Sequence, residues 1–530
     1  MSQAVEWSDA PEADDELHNP DPKNAGHGRG HIFTFRGIAN LGFLLILAVG
    51  IMILLCDFLP RYPLYSHFTA HHQTTQGAFG LGGTNASGQV PAFPNPGFPE
   101  LIDVHTPKEA YTKTSFQSPG DEWDLVFSDE FEVDGRSFYP GDDPYWEAVD
   151  LWYWGTMDLE WYDPRQVTTE GGHLKLTLDI AEPSLNHNQS NKFCFTGGLI
   201  EVSVQLPGTN SKPGLWPAVW TMGNLGRAGF GASLEGMWPY TYDACDVGTL
   251  PNQTYPGTAL PEAAVTNGDP EANNMLSYLP GQRLSACTCP GEIHPGPIRS
   301  NGSFVGRAAP EIDIFEALAN AGFGQVSQSA QWAPFNAAYN LTNIPENVKI
   351  YDSAVASLNG YIGGKTQQTT SGLVTTNQDC YELEKGCFSV YGFEYKPGFD
   401  DAYITWIVND TAVWTLEGAG LGPDALTEIS TRPVPQEPMY IIANLGFSKN
   451  FAHNLDPSTI KFPTSMLIDY VRIYQPKGSH NIGCNPADFP TTDYIEQFYE
   501  AYTNPNLTLW GSGGYGQPLP KNRLKDTCST

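Results

Sequence analysis

Basic side chains are scarce in this chain. Its 530 residues contain 27 Lys and Arg against 59 Asp and Glu, which gives a formal net charge of −32. A surface of this sign repels phosphate groups, so nucleic acid and anionic lipid headgroups are excluded as binding partners. A neutral polymer such as a polysaccharide remains compatible with this charge.

Helical periodicity is also scarce. Charged residues make up only 16% of the chain, aromatic residues 12%, and there are 54 Gly and 43 Pro. This composition favours an all-β protein with many loops. Short apolar or alternating runs between turns predict strands of a sandwich or jelly roll at residues 125–131, 172–180, 199–205, 388–395, 403–408, 439–444 and 466–474. Residues 491–502 are the best candidate for a helix.

Only one apolar run is long enough to cross a membrane. Residues 37–56 contain no charged side chain, and about 20 apolar residues span the hydrocarbon core. The run predicts a transmembrane helix over residues 37–58, with a buried core helix and a cleaved signal peptide as alternatives. Lys23, Arg29 and Arg36 precede the run, and Arg61 is the only basic residue close after it, which predicts that the acidic tail, residues 1–36, is cytoplasmic and disordered.

The glycosylation motifs support this orientation. Asn-x-Ser/Thr occurs only after the apolar run, at Asn85, Asn188, Asn252, Asn301, Asn340, Asn409 and Asn506. Such sites are used only on the lumenal side. We therefore expect a single-pass type II membrane glycoprotein of the endoplasmic reticulum, Golgi or plasma membrane, with a lumenal or extracellular main domain.

The cysteines fit the same compartment. Eight of the nine follow the apolar run, at Cys194, Cys245, Cys287, Cys289, Cys380, Cys387, Cys484 and Cys528. An even number in an oxidising compartment predicts up to four disulfides, although the sequence leaves their pairing open. Cys287 and Cys289 with His294 could instead bind zinc, but their spacing fits no common zinc site. We expect neither a metal nor a cofactor.

The segment Glu311-Ile-Asp-Ile-Phe-Glu316 is the sharpest chemical feature. On a regular strand Glu311 and Asp313 share one face, whereas Glu316 points to the other. A bulge with Ile314 or Phe315 as the extra residue would bring all three together. Carboxylates on one face repel, which drives their pKa values apart as an acid and base pair requires. A chain this acidic can also produce such a pattern by chance.

Two tryptophans stand on one face of a second apolar strand. Trp216 and Trp220 alternate with the other residues of Gly214-Leu-Trp-Pro-Ala-Val-Trp220. The two indoles could belong to the core or could form a platform on which sugar rings stack.

These segments together resemble glycoside hydrolase family 16, the laminarinase-type β-glucanases. The carboxylate strand resembles that family's bulged active-site motif, and the tryptophan strand resembles the strand before it. Four more landmarks follow the family's order, at residues 128–131, 197–200, 438–446 and 466–474. The likeness extends over residues 121–475. It is greatest to the fungal β-1,6-glucan synthesis-associated membrane proteins, which share the anchor, the segment 238–254 and the cysteine-rich stretch after it.

The resemblance implies a laminarinase-like jelly roll of the concanavalin type and a retaining mechanism. Glu311 would be the nucleophile, Glu316 the general acid and base, and Asp313 the group that tunes Glu311. Trp216, Trp220 and Trp332 would line glucan subsites, while Asn444 would either face the cleft or be a buried structural amide. Residues 59–120 would form a stalk or wrap, and residues 476–530 an extension with a short helix.

The function implied is a glycosidase or transglycosylase acting on β-glucan in fungal cell-wall β-1,6-glucan biosynthesis, with the glucan-synthesis machinery as a possible partner. The alternative is a glucan-binding scaffold without turnover. Residues 221–310 are longer than a simple glucanase needs. Loops in this segment could narrow or cover the cleft.

Overall fold

A computed structural model describes residues 101–179, 187–189, 192–320, 322–339, 341, 346–452 and 455–528. The predicted tail and transmembrane helix, as well as Asn85 and Asn340, lie outside these residues. Within them, no helix is both long and apolar enough to span a membrane.

The part of the chain that the structure describes contains eighteen strands. They are β1 (Thr112–Thr114), β2 (Glu122–Asp129), β3 (Glu147–Ala148), β4 (Val167–Glu170), β5 (His173–Leu178), β6 (His187–Gln189), β7 (Gly198–Gln205), β8 (Leu215–Gly223), β9 (Glu311–Asn320), β10 (Phe323–Trp332), β11 (Val348–Ile350), β12 (Ala356–Leu358), β13 (Gln368–Thr375), β14 (Ser389–Lys396), β15 (Tyr403–Val408), β16 (Thr411–Glu417), β17 (Met439–Phe447) and β18 (Thr464–Pro476). All seven predicted runs are among them.

In the described ranges the α-helices are short. They are α1 (Gly231–Leu234), α2 (Ala263–Thr266), α3 (Thr492–Gln497) and α4 (Tyr499–Thr503). The helix predicted near the C-terminus is confirmed, but as two pieces that meet at Phe498.

The strands form two antiparallel sheets. One, here the site sheet, has the order β12-β13-β10-β9-β8-β17-β6-β3. The other has the order β1-β2-β18-β7-β14-β15-β16-β11, with β5 also on β18 and β4 on β5. This arrangement confirms the prediction of an all-β sandwich.

The main core lies between the two sheets. Alternate residues of several strands enter it, among them Ile312 and Ile314 of β9, Val219 of β8 and Trp406 of β15, all 0% exposed. Trp406 stacks on Trp414 at 4.0 Å between ring centroids. Because Ile312 and Ile314 enter this core, the carboxylates between and beside them are directed to the outer face of the site sheet.

Four disulfides are formed, as predicted, and they join Cys194 to Cys484, Cys245 to Cys287, Cys289 to Cys528, and Cys380 to Cys387. Cys287 and Cys289 therefore have different partners, and neither has a free thiolate for zinc. The Cys194 and Cys289 bonds tie the C-terminal segment, residues 484–528, to the sandwich and to the insertion, residues 224–310.

Candidate active site

A bulge in β9 brings the three carboxylates to one face. Against β10, Asp313 pairs with Ser329 and Glu316 with Ser327, so two residues of β9 lie opposite Gln328 alone. Against β8, Asp313 pairs with Trp220 and Phe315 with Val219, so Ile314 has no partner there. The predicted bulge is confirmed from both neighbouring strands.

Buried hydrogen bonds hold the bulge in place. The Gln328 amide donates to the carbonyl of Ile314 at 3.1 Å, and the Trp406 indole donates to the carbonyl of Asp313 at 2.8 Å. Both side chains are fully buried. The irregular backbone thus has partners that a regular strand would not need.

Glu311, Asp313 and Glu316 form a row of carboxyl groups along β9, here the carboxylate row. Glu311 lies at one end of it. Its Oε2 accepts a hydrogen bond from the indole Nε1 of Trp238, which belongs to the insertion. Burial raises the pKa of Glu311 well above its ordinary value, and the charges of Asp313 and Glu316 raise it further. A hydrogen bond between the two carboxyl groups raises the pKa of Glu311 further and opposes the rise in the pKa of Asp313.

Asp313 is the most deeply buried of the three, at 1% exposure. Its Oδ2 accepts hydrogen bonds from Ser329 Oγ at 2.6 Å and Gln331 Nε2 at 3.1 Å. Burial raises the pKa of Asp313 to about 6, while the bonds from Ser329, Gln331 and Glu311 oppose that rise. Asp313 is therefore the carboxylate that stays ionised at neutral pH.

Glu316 is half-buried and closes the row at the other end. Its Oε1 accepts from Trp216 Nε1 at 3.0 Å, and its Oε2 lies 3.5 Å from the hydroxyl of Ser329. Burial, and then the charge of Asp313, raises the pKa of Glu316 to about 8. At neutral pH this group holds a proton that it can donate.

Aromatic side chains surround the Glu316 end. Trp216 is half-buried and stacks on Phe451 with ring centroids 4.3 Å apart. Tyr361 is 53% exposed, and burial and then the charge of Glu316 raise its pKa. Beyond β3, three more indoles are partly exposed, those of Trp152, Trp154 and Trp161.

The predicted sugar-binding residues divide in two. Trp216 remains a candidate because it contacts Glu316 beside the open rim. The prediction for Trp332 is wrong, since it is 1% exposed and belongs to the main core. On β10 its neighbour Gln331 faces the carboxylates, so Trp332 must point to the opposite side.

Trp220 and Asn444 are also buried. Trp220 is 8% exposed and belongs to a second apolar cluster, so the core alternative holds for it. The Asn444 side chain is 7% exposed and its Oδ1 accepts from the Trp220 indole at 2.9 Å. Of the two alternatives for Asn444, the structural amide therefore agrees with the geometry.

Three residues at the site escaped sequence analysis: Trp238, Ser329 and Gln331. Ser327, Ser329 and Gln331 alternate with other residues along β10, and this polar face on a buried strand could have been recognised. Trp238 begins the segment 238–254, but nothing in the sequence links it to Glu311 across the insertion.

The predicted glycosylation sites lie on varied surfaces. Asn301, Asn409 and Asn506 are exposed, whereas Asn252 is half-buried. Asn188 lies on β6, between β17 and β3.

Comparison with known proteins gives one match across nearly the whole chain. The family described as "Beta-glucan synthesis-associated protein SKN1/KRE6/Sbg1" matches residues 5–528. The protein of that description named SKN1 from Saccharomyces cerevisiae is 40% identical over 98% of this chain and 66% of its own length. KRE6 from the same yeast is 40% identical over 98% of this chain and 69% of its own length. KRE6 from Candida albicans is 43% identical over 80% of this chain and 55% of its own length. This chain thus spans about two thirds or less of these relatives.

Solved structures give a weaker likeness. A variant of LamA from Z. galactanivorans, in complex with laminaritriose and laminaritetraose, is 21% identical, with 66% of this chain and 98% of that one covered and a TM-score of 0.35. SCLam, a non-specific endo-beta-1,3(4)-glucanase from family GH16, is 17% identical, with 69% of this chain and 95% of that one covered and a TM-score of 0.37. Scores this low carry no argument about function.

Proposed function

The chain belongs to the SKN1/KRE6/Sbg1 family of β-glucan synthesis-associated proteins, and from this membership and its carboxylate row we propose that it is a retaining β-glucan glycosidase or transglycosylase. The observation that carries the proposal is the β9 bulge. It brings Glu316, protonated at neutral pH, to the face that holds Glu311 and Asp313. Acid and nucleophile on one face are what the two-step mechanism needs.

In the first step, Glu316 donates its proton to the glycosidic oxygen while the Glu311 carboxylate attacks the anomeric carbon. The carbon–oxygen bond breaks, one sugar chain leaves as an alcohol, and the other stays as an ester on Glu311. In the second step, ionised Glu316 takes a proton from the acceptor hydroxyl, which displaces Glu311. Water as acceptor gives hydrolysis, and a sugar hydroxyl gives transfer.

Glu311 must lose its proton before it attacks. Asp313 lies on the same face of β9, and its charge and hydrogen bond help to raise the pKa of Glu311. The indole N–H of Trp238 favours the ionised form of Glu311. We assign Asp313 the role of holding this proton during attack, with Ser329 and Gln331 fixing its orientation.

We further propose a membrane-anchored protein whose main domain faces the lumen or exterior, with the glucan-synthesis machinery as a partner. The apolar run of residues 37–56 supports the anchor, and the four disulfides support an oxidising compartment. The exposed sequons at Asn301, Asn409 and Asn506 support glycosylation.

Product analysis on β-1,3- and β-1,6-glucans tests the enzyme. The purified chain should release or transfer sugars from at least one of them, and Glu311→Gln should lower the rate by at least about a thousandfold. Glu109→Gln, at an exposed carboxyl group, is the matched control and should leave the rate unchanged. Equal rates for Glu311→Gln and wild type would exclude Glu311 as nucleophile.

A glucan-binding scaffold without turnover is the second candidate. It is favoured by the apolar cover over part of the outer face of the site sheet, which leaves less room for substrate. Fungal cells that carry only the Glu316→Gln protein distinguish the two. Normal cell-wall β-1,6-glucan in these cells would favour the scaffold, and a deficit at normal protein level would favour the enzyme.

A further inference from the structure

A short hairpin that follows β3 exposes its apolar side chains and buries its acids. We call residues 150–162 the surface hairpin. The acids Asp158 and Glu160 are only 4% and 7% exposed. Five large apolar side chains of the same hairpin are between 37% and 60% exposed: Trp152, Trp154, Met157, Leu159 and Trp161. Solvation alone favours the opposite arrangement, because a buried carboxyl group loses its hydration and an exposed apolar group gains nothing.

The register of the hairpin places two indoles together on its outer face. Leu151 and Tyr162 exchange backbone hydrogen bonds at 3.1 and 2.8 Å, and both are at most 1% exposed, so their side chains point inward. In an antiparallel pair the next residues along the two arms, Trp152 and Trp161, lie opposite each other on the other face. They are 42% and 40% exposed. The two indoles therefore share one accessible surface.

The buried acids fix the hairpin to the fold. Asp158 accepts a hydrogen bond from the hydroxyl of Tyr162 at 2.9 Å. Glu160 accepts from the backbone N–H of Phe447 at 2.8 Å, and the N–H of Leu159 donates to the carbonyl of Phe447 at 3.0 Å. Phe447 is the last residue of β17. The exposed apolar groups are thus held on a backbone that the site sheet supports, as a preformed binding surface requires.

The polar atoms of the two outer indoles are used within the hairpin. Trp152 Nε1 donates to the carbonyl of Asp158 at 2.7 Å, and Trp161 Nε1 donates to Asp150 Oδ1 at 2.6 Å. Each indole therefore offers a ligand its apolar ring and not its N–H group. The C–H faces of pyranose rings stack on aromatic surfaces of this kind.

Charge narrows the class of ligand further. The surface hairpin contains three acids, Asp150, Asp158 and Glu160, and no Lys or Arg, in a chain whose formal net charge is −32. Anionic lipids and nucleic acids are repelled by such a surface. An uncharged ligand with apolar faces fits it, and a glucan chain is a ligand of that class.

The loop after β17 connects the hairpin with the carboxylate row. In this loop the Asn450 amide donates to the carbonyl of Thr156, at the tip of the hairpin, at 2.9 Å. The neighbouring residue Phe451 stacks on Trp216, whose indole donates to Glu316. One loop thus contacts both the hairpin and the indole that contacts the general acid.

We propose that the surface hairpin is a second glucan-binding site, separate from the carboxylate row, which holds a β-glucan chain by stacking on Trp152 and Trp161. The inference rests on the glucan specificity of the proposed function, and it applies to an enzyme and to a scaffold alike. A polymer that occupies both sites binds more tightly than a ligand that occupies one, because the second contact is intramolecular.

Polymer binding without turnover tests the second site. The full-length Glu311→Gln protein is titrated calorimetrically with a linear β-1,3-glucan and with a linear β-1,6-glucan. Adding Trp152→Ala and Trp161→Ala should weaken the binding of at least one polymer by about tenfold or more. Adding Trp152→Phe and Trp161→Phe instead should restore most of the affinity, because phenylalanine keeps a ring face and lacks only the N–H group.

A control and a rate measurement accompany the titration. Tyr111→Ala removes an aromatic ring of similar exposure, 44%, beside β1 of the other sheet, and should leave polymer affinity unchanged. Circular dichroism shows whether each variant is folded. In the chain with Glu311 intact, the two Trp→Ala changes should leave kcat/KM for a glucan trisaccharide unchanged, since the hairpin is separate from the carboxylate row.

The outcomes separate this site from the proposed function. Equal polymer affinity with and without the two Trp→Ala changes would overturn the hairpin site and leave the enzyme standing. A fall in trisaccharide kcat/KM that matches the fall in polymer affinity would place both indoles in the active site and also overturn it. Weaker binding to phosphatidylcholine vesicles or loss of a dimer, with glucan binding unchanged, would assign the hairpin to a membrane or to a second copy. Hairpin-dependent polymer binding without turnover by wild type would overturn the enzyme alone.

Discussion

The three carboxyl groups of β9 differ in their surroundings at the scale of single residues. Asp313 receives two hydrogen bonds and titrates near 6, whereas Glu316 receives one close bond and titrates near 8. Burial, and then the charges of Asp313 and Glu316, raise the pKa of Glu311 well above its ordinary value. Similar side chains thus acquire different roles because of their partners.

These pKa values predict a bell-shaped pH profile. Activity should rise as Asp313 ionises near pH 6, because it can then accept the proton of Glu311, and should fall above pH 8 as Glu316 loses its proton. Glu316→Gln should lower kcat/KM by about 10² to 10⁴ and remove the basic limb. Persistence of that limb in the variant would assign it to another group.

Ser329 is a positioning residue in this scheme. Ser329→Ala removes the closest donor to Asp313, which should raise the pKa of that carboxyl and move the acid limb up by about one pH unit. Ser371→Ala is the matched control, because the Ser371 hydroxyl contacts Ser327 Oγ at 2.9 Å and Asn359 Nδ2 at 3.1 Å. Profiles of kcat/KM against pH for both variants check this, and an equal shift in both would contradict the assignment.

At the scale of elements, the β9 bulge depends on a residue of the neighbouring strand. Gln328 is fully buried and donates to the carbonyls of Ile314 and Ile407. Without it those carbonyls lose a partner in a site that water does not reach.

Gln328→Leu should therefore lower the free energy of unfolding by about 1–3 kcal/mol. Thr375→Ala, with an exposed side chain on β13, should change it by less than about 0.5 kcal/mol. Urea denaturation measures both. A Gln328→Leu protein as stable as wild type would mean that the bulge needs no such support.

Sequence reasoning succeeded where periodicity carries the information. Alternation located the strands, and the wrong parity of Glu316 predicted the bulge. It failed where the face on which a side chain lies depends on strand register. Trp332 is one residue beyond Gln331 on β10, so it points away from the face that carries the carboxylates. It also could not predict the Trp238–Glu311 contact, because irregular loops give no periodic signal.

At the scale of the whole molecule, a buried ion pair joins three distant parts of the chain. Arg307 is fully buried and donates from two nitrogens to Glu437 at 2.8 Å. A third nitrogen donates to the carbonyls of Gly296 and Pro490. The insertion, the segment before β17 and the C-terminal segment thus meet at one guanidinium.

Glu437→Ala should lower the free energy of unfolding by about 3–5 kcal/mol, because it leaves the Arg307 charge buried without a partner. The double variant Arg307→Met with Glu437→Leu removes both charges and should recover most of that loss. Denaturation of the three proteins tests this. A double variant no more stable than Glu437→Ala would show that the hydrogen bonds, not the unpaired charge, dominate.

The central claim is that Glu311 forms a covalent bond to the sugar. The protein is incubated with a 2-deoxy-2-fluoro-glucosyl fluoride, which slows the second step, and its peptides are analysed by mass spectrometry. In the wild-type protein, one fluoroglycosyl group is expected on the peptide that contains Glu311. The Glu311→Gln protein should carry none. Turnover of glucan with the label on another residue, or with no label at all, would contradict it.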